Sequence, residues 1–316
     1  MLRFLPFPAV MFVSGIVAGA QVPQSAAPPP ANPQEQVRLF ANGREVLRVG
    51  SLPIDVKLVI HTDLFEMTRV TAGKSQNAGL AVRLEGADSL WVTPIEYGDY
   101  TFVGGSVSTD PTYIDVLRLD KDHAVIQWGF GAHVIDPSQY KFARDWPGQA
   151  YPFRKTIWVQ RGVQGYYVLV EPLVDLPAFM QQSDGIEHEI GFGGVWGAGT
   201  ITTLTDTLRT SSLDGQRYVN QSQVRNVGLL DRDGDPLLRY LVPMPPEKMV
   251  STFFSKKHFG GLWILSHHSG PFGAFISWDL RGTRRSLETV CREAWLHAPS
   301  ELLSRIQYVG MDTCEP

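Results

Sequence analysis

Thr156-Ile157-Trp158-Val159-Gln160, a turn carrying Gly162 and Gly165, then Tyr166-Tyr167-Val168-Leu169-Val170: this stretch decides the fold. β-Branched and aromatic residues fill both arms, and neither arm holds an internal Pro or Gly. It reads as a strand hairpin, and the chain on either side repeats the pattern. Residues 37–41 meet residues 44–48 across Asn42-Gly43, a pair that accepts the positive φ values of a two-residue turn. Residues 113–119 turn through Asp120-Lys121-Asp122 and return as residues 124–128. Residues 229–230 and 237–242 flank an Asp-rich turn at 231–235, and further strands are expected at 56–60, 80–84, around Leu90-Trp91-Val92, at 262–265 and at 272–278.

Helical periodicity comes late. Leu287, Val290, Cys291, Ala294 and Trp295 fall at i, i+3, i+4, i+7 and i+8, the stripe of one buried helix face. A second short helix follows Pro299, with Leu302, Leu303 and Ile306 inward. About a dozen expected strands and no repeated strand–helix unit predict an all-β fold, a large antiparallel β-sandwich-like body with a short C-terminal helical segment.

The N-terminus reads as an address. Arg3 precedes an apolar run through Val10, Phe12, Val13, Ile16 and Val17 that ends in Ala18-Gly19-Ala20, the layout of a secretory signal peptide. An N-terminal membrane anchor is the alternative. Residues 21–36 carry five prolines and a single charge, which fits a linker. The expected organisation is a signal peptide over 1–20, a Pro-rich linker over 21–36, a β-rich domain over 37–250, and C-terminal strands plus helix over 251–316 on the same body. After signal cleavage no integral membrane span is expected, and the location is periplasmic or secreted.

The chain has 316 residues with 28 basic and 32 acidic side chains, a formal charge of -4. That balance gives no generic attraction to nucleic acid. Its two cysteines, Cys291 and Cys314, would pair in an oxidising compartment and fasten the tail to the helix stripe. Two free buried thiols are the other reading.

Glu187-His188-Glu189 is the sharpest polar cluster. On an extended strand the two glutamates share a face at roughly 6.5–7 Å. Paired carboxyls about 5–9 Å apart serve glycoside hydrolysis, one protonated and one ionised, and mutual repulsion separates their pKa values. A solvated strand face carries the same pattern without a substrate. His188 shares the opposite face with Ile186 and Ile190, which suits a core or rim histidine and leaves it a ligand-binding candidate, and E-H-E lacks the one-turn histidine spacing of a zinc helix. Trp128 and Trp146 are candidate aromatic platforms for sugar rings, Trp146 because it lies in a turn-rich loop before Pro147-Gly148. His267 and His268 form a late cluster that reads as a polar rim or, less simply, as metal ligands.

Asp231, Asp233 and Asp235 miss the calcium-loop pattern, because Gly234 lies between the last two acids and Val242 stands where a glutamate is needed. Gly73-Lys74-Ser75 lacks the first glycine of a phosphate loop, since residue 68 is Thr68. No G-x-S-x-G elbow occurs, and no cofactor is expected. Three functions fit the sequence. The first is glycan binding or processing, with a polysaccharide or cell-envelope component as partner. A non-catalytic envelope or interaction protein is the second, and a metal-dependent hydrolase the third.

Overall fold

A computed structural model describes residues 36–71, 78–84, 95–102, 111–132, 151–175, 187–193, 200–203, 207–209, 216–221, 226–230, 236–241, 250–255, 261–267, 271–278 and 285–306. Its strands run in chain order as β1 (Arg38–Ala41), β2 (Arg44–Glu45), β3 (Gly50–Leu52), β4 (Leu58–His61), β5 (Phe65–Thr71) and β6 (Ala78–Leu84). Then come β7 (Ile95–Phe102), β8 (Pro111–Leu119), β9 (His123–Ala132), β10 (Tyr151–Gln160), β11 (Gly165–Pro172) and β12 (Glu187–Gly193). The later strands are β13 (Thr200–Thr203), β14 (Thr207–Arg209), β15 (Gln216–Gln221), β16 (Asn226–Leu230), β17 (Pro236–Leu241), β18 (Val250–Ser255), β19 (Gly261–His267) and β20 (Phe272–Trp278). Two short helices close the series, α1 (Leu287–Leu296) and α2 (Ser300–Arg305). The fold is all-β with a short helical C-terminal segment.

The strands form three antiparallel sheets among the described residues. The widest has ten strands in the order β14-β13-β16-β17-β20-β11-β10-β9-β8-β3. The others are β2-β1-β4-β5-β6 and β15-β18-β19-β12-β7. Strands from both sides of residue 250 interleave in the wide sheet, where β20 stands between β17 and β11. The chain divides into two units, Met1–Gln34 and Glu35–Pro316, and all described residues belong to the second. The expected strand at Leu90-Trp91-Val92 and the turn at 231–235 lie outside the described residues.

Local chemistry explains the best-marked turns. Asn42 and Gly43 take φ values of 49° and 78°, the geometry of a two-residue hairpin. Arg38 donates from Nε and Nη2 to the two carboxylate oxygens of Glu45 at 2.7 and 2.8 Å across that hairpin. The second arm is shorter than expected, ending at Glu45, with one further in-register bond from the Val46 amide to the Leu39 carbonyl at 2.8 Å. Ser286 caps α1 by accepting from the Thr289 amide at 3.0 Å, with acidic Glu288 in the first turn.

The centre of the wide sheet is buried on both faces. Trp128, Phe153, Ile157 and Val159 are buried on one face, and Trp158, Tyr167, Leu169 and Phe275 on the other. Against the second face pack Val290, Cys291, Ala294 and Trp295 of α1, then Leu302 and Ile306 around α2, as the sequence stripe predicts. Burying each of the larger aliphatic side chains among them contributes about 1.5–3 kcal/mol. Among the described residues, hydrogen bonds tie the β2-β1-β4-β5-β6 sheet to the wide one. The Val37 amide donates to the Lys121 carbonyl at 2.9 Å, and the Gly162 amide donates to Asp63 Oδ1 at 3.1 Å.

Candidate functional site: an arginine-flanked groove beside the helices

Where the helices stop covering the wide sheet, a groove of about 880 Å³ opens. Strand alternation builds its floor. On β10, Arg154, Thr156, Trp158 and Gln160 occupy every second position and point to the helix side. Register sets Gln127 opposite Thr156, Val125 opposite Trp158 and His123 opposite Gln160 on β9. On β11, Glu171 stands opposite Arg154, and Leu169 opposite Thr156. The wall is the α1–α2 turn and α2, through His297, Ser300, Glu301, Ser304 and Arg305.

The polar groups are ordered by one another. Glu171 is only 3% exposed, and each carboxylate oxygen accepts a separate arginine Nε at 2.7 Å, Oε2 from Arg154 and Oε1 from Arg305. A buried carboxylate needs such pairing to offset its desolvation. Gln127 donates from Nε2 to Thr156 Oγ1 at 2.9 Å, and Gln160 donates to the His297 carbonyl at 3.2 Å. Tyr113 on β8 pairs in register with Gly129, and its ring occupies the space a Cβ there would need. Burial raises the Tyr113 phenol above its usual value; the Arg154 charge opposes that shift, while Asp115 and Glu171 add to it. At the groove's far end Asp120 accepts from Arg118 Nε at 2.7 Å and the Asp122 amide at 2.9 Å, and contacts His123 Nδ1 at 3.0 Å. Burial works to raise the Asp120 carboxyl, but these partners outweigh it and hold the group well below the ordinary carboxylate range.

The sequence-derived candidates fall in several places. Glu187, His188 and Glu189 do lie on a strand, β12, in the third sheet. Register sets Glu187 opposite His267 and Phe102, His188 opposite Ser266 and Thr101, and Glu189 opposite Leu265 and Tyr100. A register shift follows between Glu189 and Gly191. His267 thereby stands beside the acidic pair, a neighbour that spacing alone did not disclose. Trp146, His268 and Cys314 lie outside the described residues.

Trp128 corrects an expectation. It is 1% exposed, and β9 alternation turns it away from the groove that Gln127 faces, so it is an interior ring and no platform for a ligand. Beside it on the same face lies the buried Lys155, whose Nζ sits 5.5 Å from the indole centroid. No described cysteine is a free thiol. No helix among the described residues is long and apolar enough to cross a membrane. No cluster of three or more His, Cys, Asp or Glu suited to a metal occurs among them.

Arg154, Glu171 and Arg305 were missed by the sequence reading. Polar residues at alternate positions, 154, 156 and 160, of a strand whose opposite face is apolar but for Lys155 are the signal that marks this face.

No protein-family model matches the chain. No curated protein matches it either. Among solved structures it is similar to the alpha-N-acetylgalactosaminidase NagBb from Bifidobacterium bifidum, in a GalNAc complex, at TM-score 0.41 and 9% identity. The match covers 74% of this chain and 38% of that one. A likeness of that size carries no argument about chemistry.

Proposed function

We propose that this is an exported glycan-recognition protein whose ligand lies in the groove between β8–β11 and the helical turn. The observation that carries the reading is the groove itself. Its volume of about 880 Å³ falls within the ~300–1,000 Å³ of small-molecule sites. Its lining alternates hydroxyl, amide and guanidinium groups with the narrow apolar edges of the otherwise buried Val125, Trp158 and Leu169. Sugars present that same alternation of hydroxyl edges and apolar ring faces. Export rests on the signal-like residues 1–20, and a Cys291–Cys314 bridge would belong to that compartment.

Binding to a panel of soluble polysaccharides tests the reading, with Gln127→Ala and Thr156→Val as groove variants. Retention of at least one polysaccharide by the wild type and about tenfold weaker binding by both variants is expected. Absence of binding to every polymer, or unchanged binding in both variants, overturns it.

A hydrolytic reading is favoured by one separate observation, the placement of Glu187 and Glu189 two residues apart on β12 with His267 in register. In that reading one glutamate protonates the leaving oxygen and the other serves as base or nucleophile. Reducing-sugar release by wild type, abolished in Glu187→Gln and in Glu189→Gln, is the outcome expected; full activity in both variants removes these roles.

A further inference from the structure

We infer that the groove selects acidic glycans, with the Arg154–Glu171–Arg305 cluster holding a carboxylate or sulfate of the ligand. The inference rests on the glycan-recognition reading and names its substrate class. Two guanidinium groups share a single carboxylate, so the cluster keeps one positive charge in excess. Each arginine engages Glu171 through Nε, and neither guanidinium has a further hydrogen-bond partner among the described residues. Their terminal amino groups thus remain for an anion, in the planar fork that matches carboxylate and sulfate geometry.

Glu171 gives the site its rigidity. A carboxylate that is 3% exposed fixes both arginines, one from the sheet and one from α2, so the ligand's anion meets groups whose ordering cost is already met. Outside the cluster Arg118 is paired with Asp120 and Glu301 is opposite in sign, so the excess positive charge of the lining rests on the two arginines. The lining holds Arg118, Arg154 and Arg305 against Glu171 and Glu301. Beside the cluster, the Gln127 amide, held by its bond to the buried Thr156, is a neutral group for a hydroxyl. An acidic sugar unit needs that combination, a charged end and a hydroxylated edge.

The experiment uses the full exported chain with polygalacturonate, alginate and hyaluronan, each beside its carboxyl-reduced neutral form. Arg305→Gln is the main variant, because Arg305 is 53% exposed and its loss leaves Glu171 still paired with Arg154. Expected results are about tenfold tighter binding of at least one acidic polymer than of its reduced form, and about tenfold weaker acidic binding in Arg305→Gln, a larger loss than the same variant shows for the reduced form. Raising salt from 50 to 500 mM should weaken the acidic complex alone. Equal binding of acidic and reduced polymers, or an indifferent Arg305→Gln, overturns the inference while leaving glycan recognition standing. Binding of none of the six polymers, together with none in the wider panel, overturns both.

Discussion

The hydroxyl of Tyr167, on a central strand of the wide sheet, donates to the carbonyl of Ala294 in α1 at 2.6 Å. The two residues are 127 positions apart in the chain, and the bond is buried. Burial raises the phenol's pKa, so the group stays a neutral donor across the ordinary pH range. Tyr167→Phe keeps the ring and removes only the bond. A loss of about 1–2 kcal/mol in chemical denaturation is expected, with α1 the element that loosens first by hydrogen exchange.

Gly273 on β20 faces α2 so closely that an added Cβ would lie 2.7 Å from Leu302 Cδ1 and 2.8 Å from Ile306 Cγ2. Gly273→Ala must push those side chains aside and is expected to cost about 1–3 kcal/mol. Because α2 carries Arg305 to Glu171, the same variant should weaken ligand binding more than a surface change of equal stability cost. Paired thermal-shift and binding measurements check both effects.

Asp120 contributes an acid-sensitive increment of stability. Its folded carboxyl is depressed, so its contribution is fully present above the ordinary value of about 4 and fades as pH falls below that value toward the lower folded one. Asp120→Asn should therefore be less stable than wild type at neutral pH, by about 1 kcal/mol or less because the side chain is 40% exposed. The gap between the two should close as the pH drops through and below about 4. Urea titrations at several pH values read it directly.

Cys291 is fully buried against the sheet, and Cys314 is the chain's second cysteine. A non-reducing peptide map should find the two joined. Reduction should then destabilise the protein by roughly 3 kcal/mol, the entropy of a loop of about two dozen residues. An unchanged melting temperature after complete reduction would contradict the bridge.

The hairpins were legible in the sequence because their signals are local. Asn42-Gly43 and the Gly162/Gly165 turn each sit between alternating arms, and nothing distant is needed to read them. The helix stripe from Leu287 to Trp295 was equally local. Partnership was not. His267 stands beside Glu187 only because β19 returns to β12, and Arg305 reaches Glu171 only through the docking of α2. The burial of Trp128 lay within reach, since strand parity places it opposite to Gln127, but an aromatic residue does not announce which side of a sheet is occupied.

The insertion of β20 between β11 and β17 has a consequence for how the chain is made. Until residues 272–278 emerge, two strands completed much earlier lack the keystone that joins them, and each offers a bare edge to other chains. Assembly of the broadest layer thus waits for almost the whole polypeptide and proceeds through long-range pairing, which is slow. Shortened products ending before Phe272 are expected to aggregate, whatever the quality of their local hairpins.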